Sequence, residues 1–191
     1  MALRVPKAEM TGFDEDKLAL FGGHLPEPLE VGWHNPPVME AALEFGMKAD
    51  TWPAVDPGLK SFAHMAVAAY VGCSWCLDIG YFTALNQELD PKKASQVPRW
   101  READVFTPLE RDVMEYAEAM SSTPLTVTDE LSARLLGALG EAGMIELTAY
   151  IAFSNFSTRN NVALGIESQG FSSNCEIPLA TLPVVAVQVR R

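Results

Sequence analysis

Basic residues and cysteines are scarce in this chain of 191 residues. Lysine and arginine total 14 against 25 aspartates and glutamates, so the formal net charge is −11 at pH 7. Because that charge repels phosphate backbones and anionic lipid, it argues against nucleic acid and membrane surfaces as partners. The sequence also lacks a basic leader followed by an apolar core and an apolar run long enough to span a membrane. We therefore expect a cytoplasmic protein.

The small number of cysteines excludes a disulfide framework. The chain has three, an odd number, and two of them, Cys73 and Cys76, stand only two residues apart. A close pair in a chain of this kind indicates catalysis or metal binding rather than structural cross-linking. With 48% apolar residues the chain can bury one core, and we expect a single domain over residues 1–191.

Strand signals are nearly absent, whereas helix starts recur. The predicted starts are Asn35 with Pro36, Asp56 with Pro57, Thr107 with Pro108 and Glu110, and Thr128. Each start has a capping side chain. In addition it has a proline at the first helical position, a capping box or an apolar pattern of helical period. The apolar stretch "MIELTAYIAFSNFSTRNNVALG" predicts one further, buried helix. The fold class that we predict is all-α.

Three regions are less helical in pattern. The first 34 residues contain a short predicted helix, "DEDKLALF", and then a predicted loop with Gly22, Gly23, Pro26, Pro28 and Gly32. The stretch "PKKASQVPRW" is predicted as a polar connector between helices. The tail "IPLATLPVVAVQVRR" is apolar but broken by prolines, and we expect it to pack on the domain or on a neighbouring subunit.

The cysteine pair lies at the predicted start of a helix. The alanine-rich segment before it favours a helix, which argues against the strand that precedes the pair in a thioredoxin fold. Gly72 then ends that helix, and a second helical pattern runs over 74–88. In the first turn of a helix, unpaired amide groups and the dipole favour negative charge, so at least one thiol is expected to be partly thiolate. One-turn spacing also allows a Cys73–Cys76 disulfide on mild oxidation, with Cys175 free.

Other interpretations of the pair remain open at this point. A structural zinc site needs about four ligands, and the spare candidates, Cys175, His24, His34 and His64, have none of the paired spacing that zinc motifs use. Haem attachment requires a histidine directly after the second cysteine, where Leu77 stands. We therefore expect no metal and no cofactor. Two buried, inert cysteines are the remaining alternative.

Three stretches together resemble a known family. They are "LKSFAHMAVAAYVGCSWCLDIGYFTALNQ", "VPRWREADVFTPLERDVMEYAEAM" and "MIELTAYIAFSNFSTRNNVALG". Their order is similar to the carboxymuconolactone decarboxylase family, in its alkyl hydroperoxidase D-like branch, over about 36–167. The resemblance implies an alkyl hydroperoxidase D-like helical fold. Outside the family-like core we expect 1–35 to wrap the domain and 168–191 to form an extended tail. It also implies a dimer, trimer or hexamer, with the cysteine pair near a subunit interface.

The resemblance further implies a thiol-dependent peroxidase or disulfide oxidoreductase that reduces small organic hydroperoxides. Cys76 would attack the peroxide, and Cys73, expected to be the more accessible thiol, would close the disulfide that a partner protein reduces. The alternatives are a lactone decarboxylase and a non-catalytic member that binds a small ligand or a protein. A decarboxylase would need a basic pocket for the carboxylate, which the negative charge of this chain does not favour.

This sequence departs from the motif of active members of the branch. Ser61 and Gly80 stand where those members carry glutamate and histidine, although Asp78 matches a common motif residue. His64, one turn after Ser61, is the candidate replacement base, and the alternative is a surface or interface histidine with no catalytic role. Trp75 replaces a histidine between the cysteines. The double substitution of Ser61→Glu and Gly80→His is expected to restore the relay and speed the reaction with an alkyl hydroperoxide, and the replacement of Gly80 is expected to favour the helix if the site has room.

Two aromatic residues of the helix that carries the cysteines are the candidates for substrate binding. Trp75 lies between the cysteines, and Tyr81 lies five residues after the second one. For Trp75, packing at a subunit interface is an equal alternative to a lid over the thiols.

Overall fold

Seven α-helices make up the described part of the chain. The computed structural model describes residues 2–10, 25–173 and 175–182, and these contain no strand. The helices are α1 (Glu27–Gly32), α2 (Pro36–Asp50), α3 (Pro57–Val71), α4 (Ser74–Asn86), α5 (Pro91–Ala94), α6 (Pro108–Ser121) and α7 (Asp129–Leu164). A short 3₁₀ turn, Val97–Arg99, lies between α5 and α6. The predicted all-α fold is confirmed.

The predicted helix starts are confirmed, and the starts of α3, α6 and α7 have side-chain capping contacts. The Asp56 carboxylate accepts a first-turn N–H of α3, and the Thr128 hydroxyl accepts one of α7. At α6 the capping box is complete: Glu110 N donates to the Thr107 hydroxyl at 3.3 Å, and Thr107 N donates to the Glu110 carboxylate at 2.7 Å. Asn35 occupies the N-cap of α2 without a side-chain cap bond.

Two predicted irregular regions are helical instead. Residues 27–32, predicted as part of a loop, form α1, because Pro28 lies in the first turn of the helix, where a missing N–H costs nothing. The predicted polar connector contains α5 and the 3₁₀ turn, and Ala94, Val97 and Trp100 in it are buried. Proline therefore begins helices here rather than breaking them. The short helix predicted at 14–21 lies outside the described residues.

The two predicted C-terminal helices form one element, α7, with a break at Gly140. Gly140 has φ 69° and ψ 178°, a conformation that glycine adopts most easily. By length and composition, α7 alone among the described helices is long and apolar enough to cross a membrane, which the sequence analysis did not anticipate. Leu147 and Ile151 of this helix are fully buried in the core, and α7 packs against α3 and α6.

Helix α3 is the centre of the bundle. It contacts α4, α6 and α7, and its residues Ala63, Ala66 and Ala68 are fully buried. Small side chains on one helix let its neighbours approach closely, and the larger side chains Phe62 and Met65 fill the remaining space. The turn that carries the cysteine pair follows α3 directly and so lies against the core.

The described parts of both ends of the chain pack on this bundle. Arg4 N donates to Leu164 O at 3.0 Å, which ties the N-terminal segment to the end of α7. In the tail, Ala180 N donates to Ser95 O at 2.8 Å. The expectation that the tail packs on the domain is therefore confirmed for residues 175–182, and the remainder of the tail lies outside the described residues.

Candidate active site

The cysteine pair forms the cap of α4. Gly72 ends α3 with φ 83°, and the next residue, Cys73, is the N-cap of α4. Cys76 N donates to Cys73 Sγ at 3.2 Å, so a sulfur takes the part that an oxygen plays in most N-caps. The two cysteines are joined in a disulfide with a Cα–Cα distance of 5.3 Å, and Cys175 is free. The predicted placement in the first turn of a helix is confirmed.

Both cysteines are buried in the protein core. Cys73 and Cys76 are each only 1% exposed. The expectation that Cys73 is the more accessible one is therefore wrong for this chain. Its physical reason is that α3, α4 and the segment after α7 close over the turn, so neither sulfur is favoured by exposure.

A side chain from α7 reaches the second sulfur. Asn161 Nδ2 donates to Cys76 Sγ at 3.3 Å, and Asn161 is itself buried. Each sulfur thus has one hydrogen-bond donor: a backbone amide on Cys73 and a side-chain amide on Cys76. Amide donors favour the thiolate over the thiol, whereas apolar burial opposes it.

His64 lies beside the pair, but it contacts the backbone of Cys76 rather than its sulfur. Its Nδ1 is 3.3 Å from Ser154 Oγ of α7. Desolvation by burial lowers the pKa of His64, against the opposing effects of its hydrogen bond to the Cys76 backbone and of the Asp50 charge. The imidazole is therefore neutral near pH 7, which a proton acceptor requires.

A cavity of about 330 Å³ lies between α3, α4 and α7 at this point. Its polar lining includes Ser61, His64 and Ser154, and its apolar lining includes Trp75 and Phe153. The volume is at the lower end of the range for small-molecule sites, about 300–1,000 Å³. The candidate base thus faces a space large enough for a small organic substrate.

Gly80 also lines this cavity, and it has little room for a side chain. A Cβ atom added there would lie 3.0 Å from His64 Cδ2 and 3.2 Å from Met65 Cγ. Carbon atoms normally pack at about 3.5–4.0 Å. A side chain at Gly80 would therefore require the ring of His64 to shift, so the site lacks the free space assumed for the gain in helix propensity at Gly80.

The two aromatic candidates for substrate binding lie in different places. Trp75 lines the 330 Å³ cavity, and its Nε1 donates to Gln169 Oε1 at 2.7 Å. Tyr81 is fully buried, and its hydroxyl donates to Ile177 O at 2.6 Å. Tyr81 does not line the 330 Å³ cavity. The structure therefore assigns Tyr81 to anchoring the tail, and only Trp75 faces the candidate site.

Asp78 organises the segment that follows α7. Its buried carboxylate accepts hydrogen bonds from the backbone N–H groups of residues 170–172 and from the hydroxyls of Ser168 and Ser172. Burial raises the pKa of Asp78, but the hydrogen bonds from Ser172, Ser168 and Phe171 outweigh it, so the pKa is lowered. Asp78 thus stays ionised and holds this segment over the start of α4.

The remaining histidines and possible metal ligands do not join the site. His34 is exposed, with Nε2 2.9 Å from Pro6 O, and His24 lies outside the described residues. In the part of the chain that the structure describes, no group of three or more His, Cys, Asp or Glu side chains is placed to hold a metal ion.

The central part of the chain matches a known family. Residues 36–119, from α2 through most of α6, match the model of the carboxymuconolactone decarboxylase family. This segment of the chain carries the sequence pattern of the family. The protein YnjA of Escherichia coli (strain K12), itself uncharacterised, is 36% identical over 124 residues, which are 65% of this chain and 66% of YnjA.

Solved structures of similar proteins share the fold. A variant of the debrominase Bmp8 in complex with 2,3,4-tribromopyrrole superposes with a TM-score of 0.76 at 20% identity, over 91% of this chain and 95% of Bmp8. An alkylhydroperoxidase AhpD core protein from Ralstonia eutropha JMP134, described as peroxidase-related, superposes with a TM-score of 0.76 at 18% identity, over 92% and 97% of the two chains. The expected alkyl hydroperoxidase D-like fold is confirmed.

The carboxymuconolactone decarboxylase family match ends before α7, where sequence analysis missed two site residues. The buried residues of α7 after the break include Leu147, Ile151, Ser154, Thr158 and Asn161, at spacings of four and three. The stripe is apolar at its start and polar where it passes His64 and Cys76. Polar residues that continue a buried stripe are the signal that could have identified Ser154 and Asn161.

Two glycine-to-alanine variants test how tightly His64 is packed in this chain. Gly137→Ala should raise the free energy of unfolding by about 0.5–1 kcal/mol, since alanine favours helix and nothing lies within 4 Å of the added methyl group. Gly80→Ala should lack that gain and shift the His64 resonances in NMR spectra, because its methyl group presses on the ring. Equal stabilisation in urea unfolding would show that the site has room.

The pKa of His64 predicts how stability depends on pH. Since burial lowers this pKa, the unfolded chain takes up a proton at this position more readily than the folded chain does. Stability should therefore fall as the pH is lowered through the ordinary imidazole value of about 6.5. His64→Gln should flatten this part of the profile in urea unfolding measured from about pH 7.5 to about pH 5.5. The matched control is His34→Gln at the exposed histidine, and equal profiles for the two variants would contradict the assignment.

Proposed function

We propose that this protein is a dithiol peroxidase that reduces small organic hydroperoxides. The observation that carries the proposal is the Cys73–Cys76 disulfide at the start of α4, with one amide donor on each sulfur. A pair that forms a disulfide within one helical turn can accept and return two electrons without a cofactor. The match of 36–119 to the carboxymuconolactone decarboxylase family and the likeness in fold to a peroxidase-related alkylhydroperoxidase AhpD core protein support the proposal.

The reaction begins from the reduced pair. The Cys76 thiolate attacks the terminal oxygen of the hydroperoxide ROOH, and the O–O bond breaks. Cys76 becomes a sulfenic acid, and the alkoxide takes a proton to leave as the alcohol ROH. The Cys73 thiolate then attacks the Cys76 sulfur, and the displaced hydroxide takes a proton to become water. Two thiols and ROOH thus give the disulfide, ROH and water, and a dithiol reductant returns the pair to its starting state.

His64 is the proposed general base of this site. Its imidazole lines the 330 Å³ cavity together with Ser61 and Gly80, the positions at which active members carry glutamate and histidine. Ser154 orients the ring. Its lowered pKa keeps it neutral, so it can take the proton of a thiol in the reduced enzyme and deliver it to the alkoxide. Trp75 and Phe153 provide the apolar wall against which the organic group of the substrate packs.

The physiological reductant, the assembly and the compartment are parts of the same proposal. We infer a protein dithiol as reductant, which fits a cytoplasmic setting in which thiols are kept reduced. We also infer a homo-oligomer, namely a dimer, trimer or hexamer. Its support is a groove of about 740 Å³ between α2 and α7 with the exposed apolar side chains Val38, Phe45 and Phe156.

The oligomer has a direct test. We expect light scattering at micromolar concentration to give a multiple of the 20.8 kDa chain mass. Val38→Asp and Phe156→Asp should lower that mass, because a charge in an apolar contact is not solvated. A monomer mass for the unaltered protein would contradict the inference.

A peroxidase assay with cysteine variants tests the function. With dithiothreitol as reductant, the protein should consume cumene hydroperoxide, and Cys76→Ser should abolish turnover because no thiolate remains to attack the peroxide. Cys175→Ser is the matched control and should keep the activity, since Cys175 lies outside the disulfide. Turnover that survives Cys76→Ser would exclude the proposed chemistry.

The charges at the cavity favour a neutral substrate over a lactone acid. Lys60 is the lysine in the lining, but its ammonium is 3.4 Å from Glu146 Oε1 and 2.8 Å from Trp52 O, so it is already paired in a buried site. Asp50 in the same lining adds negative charge. A substrate carboxylate would therefore lack an available cation, which argues against decarboxylase chemistry here.

Reductive debromination is the second candidate function. The structural neighbour Bmp8 is a debrominase, and the aromatic lining by Trp75 and Phe153 suits an uncharged ring. The same pair would transfer two electrons, so that an aryl bromide and two thiols give the debrominated ring, the disulfide and hydrogen bromide. Replacing cumene hydroperoxide by 2,3,4-tribromopyrrole in the same assay separates the two candidates, and bromide release at a higher rate than peroxide consumption would favour debromination.

A further inference from the structure

Asn161 is held rigidly in the last turn of α7. The N–H of Ile166 donates to the backbone oxygen of Asn161 at 3.0 Å, and Gly165 ends the helix with φ 75°. A Cβ atom at Gly165 would lie 2.7 Å from Ala2 O, so the N-terminal segment closes tightly over this helix end. The amide of Asn161 therefore points at the Cys76 sulfur from a backbone that has little freedom to move.

The surroundings of Asn161 increase the effect of its amide. It lies in the lining of a second cavity, of about 480 Å³, whose other walls include Leu29, Val31, Met39 and Leu43. Apolar burial opposes the thiolate form of a cysteine, so a hydrogen-bond donor to the Cys76 sulfur acts against that opposition. In the same low-dielectric surroundings a hydrogen bond to an anion is stronger than it is in water.

The two sulfurs differ in what stabilises them. Cys73 Sγ accepts the Cys76 backbone N–H, a contact that belongs to the helix cap and that side-chain substitutions leave in place. Cys76 Sγ accepts the Asn161 side chain, which can be removed by substitution. Since both cysteines are 1% exposed, accessibility does not distinguish them. The donor set is thus the difference through which the protein can select one thiol for attack.

We propose that Asn161 is a catalytic residue whose amide stabilises the Cys76 thiolate and so makes Cys76, rather than Cys73, the attacking thiol. This inference rests on the proposed function. It adds a residue from α7, which lies beyond the 36–119 segment that matches the family model.

The test uses thiol alkylation, which needs no peroxide. The reduced protein is treated with iodoacetamide at about pH 7, and peptide mass analysis gives a separate rate for each cysteine. Asn161→Leu keeps the branched shape and removes the donor. We expect the rate at Cys76 to fall about three- to tenfold, because loss of a hydrogen bond lowers the thiolate fraction while a higher pKa partly restores nucleophilicity. The rate at Cys73 should change less than about twofold.

A second variant and a control complete the design. Asn161→Asp keeps the size but puts a carboxylate beside the sulfur, so the rate at Cys76 should fall at least as far. Asn86→Leu, at an exposed position at the end of α4, makes the same kind of change away from the sulfurs and should leave both rates unaltered. Circular dichroism and thermal unfolding establish that the variants are folded, and the result is taken from whichever Asn161 variant folds.

The outcomes separate this inference from the proposed function. A selective loss at Cys76 supports the role of Asn161 even if no hydroperoxide is consumed, in which case only the peroxidase proposal fails. If the folded variants alkylate Cys76 at the rate of the unaltered protein, or if the rates at Cys73 and Cys76 fall together, the role of Asn161 is overturned. Peroxidase turnover that persists in those variants would then leave the proposed function standing.

Discussion

The hydrogen bond from Cys76 N to Cys73 Sγ is the contact around which the rest of the site is arranged. It makes a sulfur the N-cap of α4 and so places both cysteines at the end of the helix where the dipole favours anions. Gly72 makes the turn possible, because its φ of 83° lets α3 end one residue before α4 is capped. A shift of this turn would separate the sulfurs from His64, Asn161 and the segment that Asp78 holds.

Helix α7 supplies side-chain contacts to His64 and to the Cys76 sulfur that the start of α4 alone does not provide. Its buried stripe begins with Leu147 and Ile151, which only pack, and continues with Ser154 and Asn161, which donate to or orient groups at the site. Each polar side chain of this stripe has a partner, as buried polar groups require. The same face of α7 therefore packs in the core in its earlier part and contacts the candidate site in its later part.

This chain departs from the motif of active family members at Ser61 and Gly80, and His64 packs against the second of these positions. With no side chain at Gly80, the ring of His64 occupies the adjoining space, and Ser61 leaves the cavity open in front of it. An imidazole is thus present near the pair, although it comes from α3 instead of α4. Its contact is with the backbone of Cys76 and not with the Cys76 sulfur.

The sequence alone determined the helical class, the starts of α2, α3, α6 and α7 and the position of the cysteine pair at a helix start. These features depend on neighbours within about one turn, such as Asp56 with Pro57 or Thr107 with Glu110, so local physics is enough to predict them. Only the tertiary structure decided that Asn161 meets Cys76, that His64 fills the space at Gly80 and that both sulfurs are equally buried. Asn161 and Cys76 are 85 residues apart, and no local pattern encodes which helix face will lie against the pair. The packing of the whole bundle around α3 decides which helix face lies against the cysteine pair.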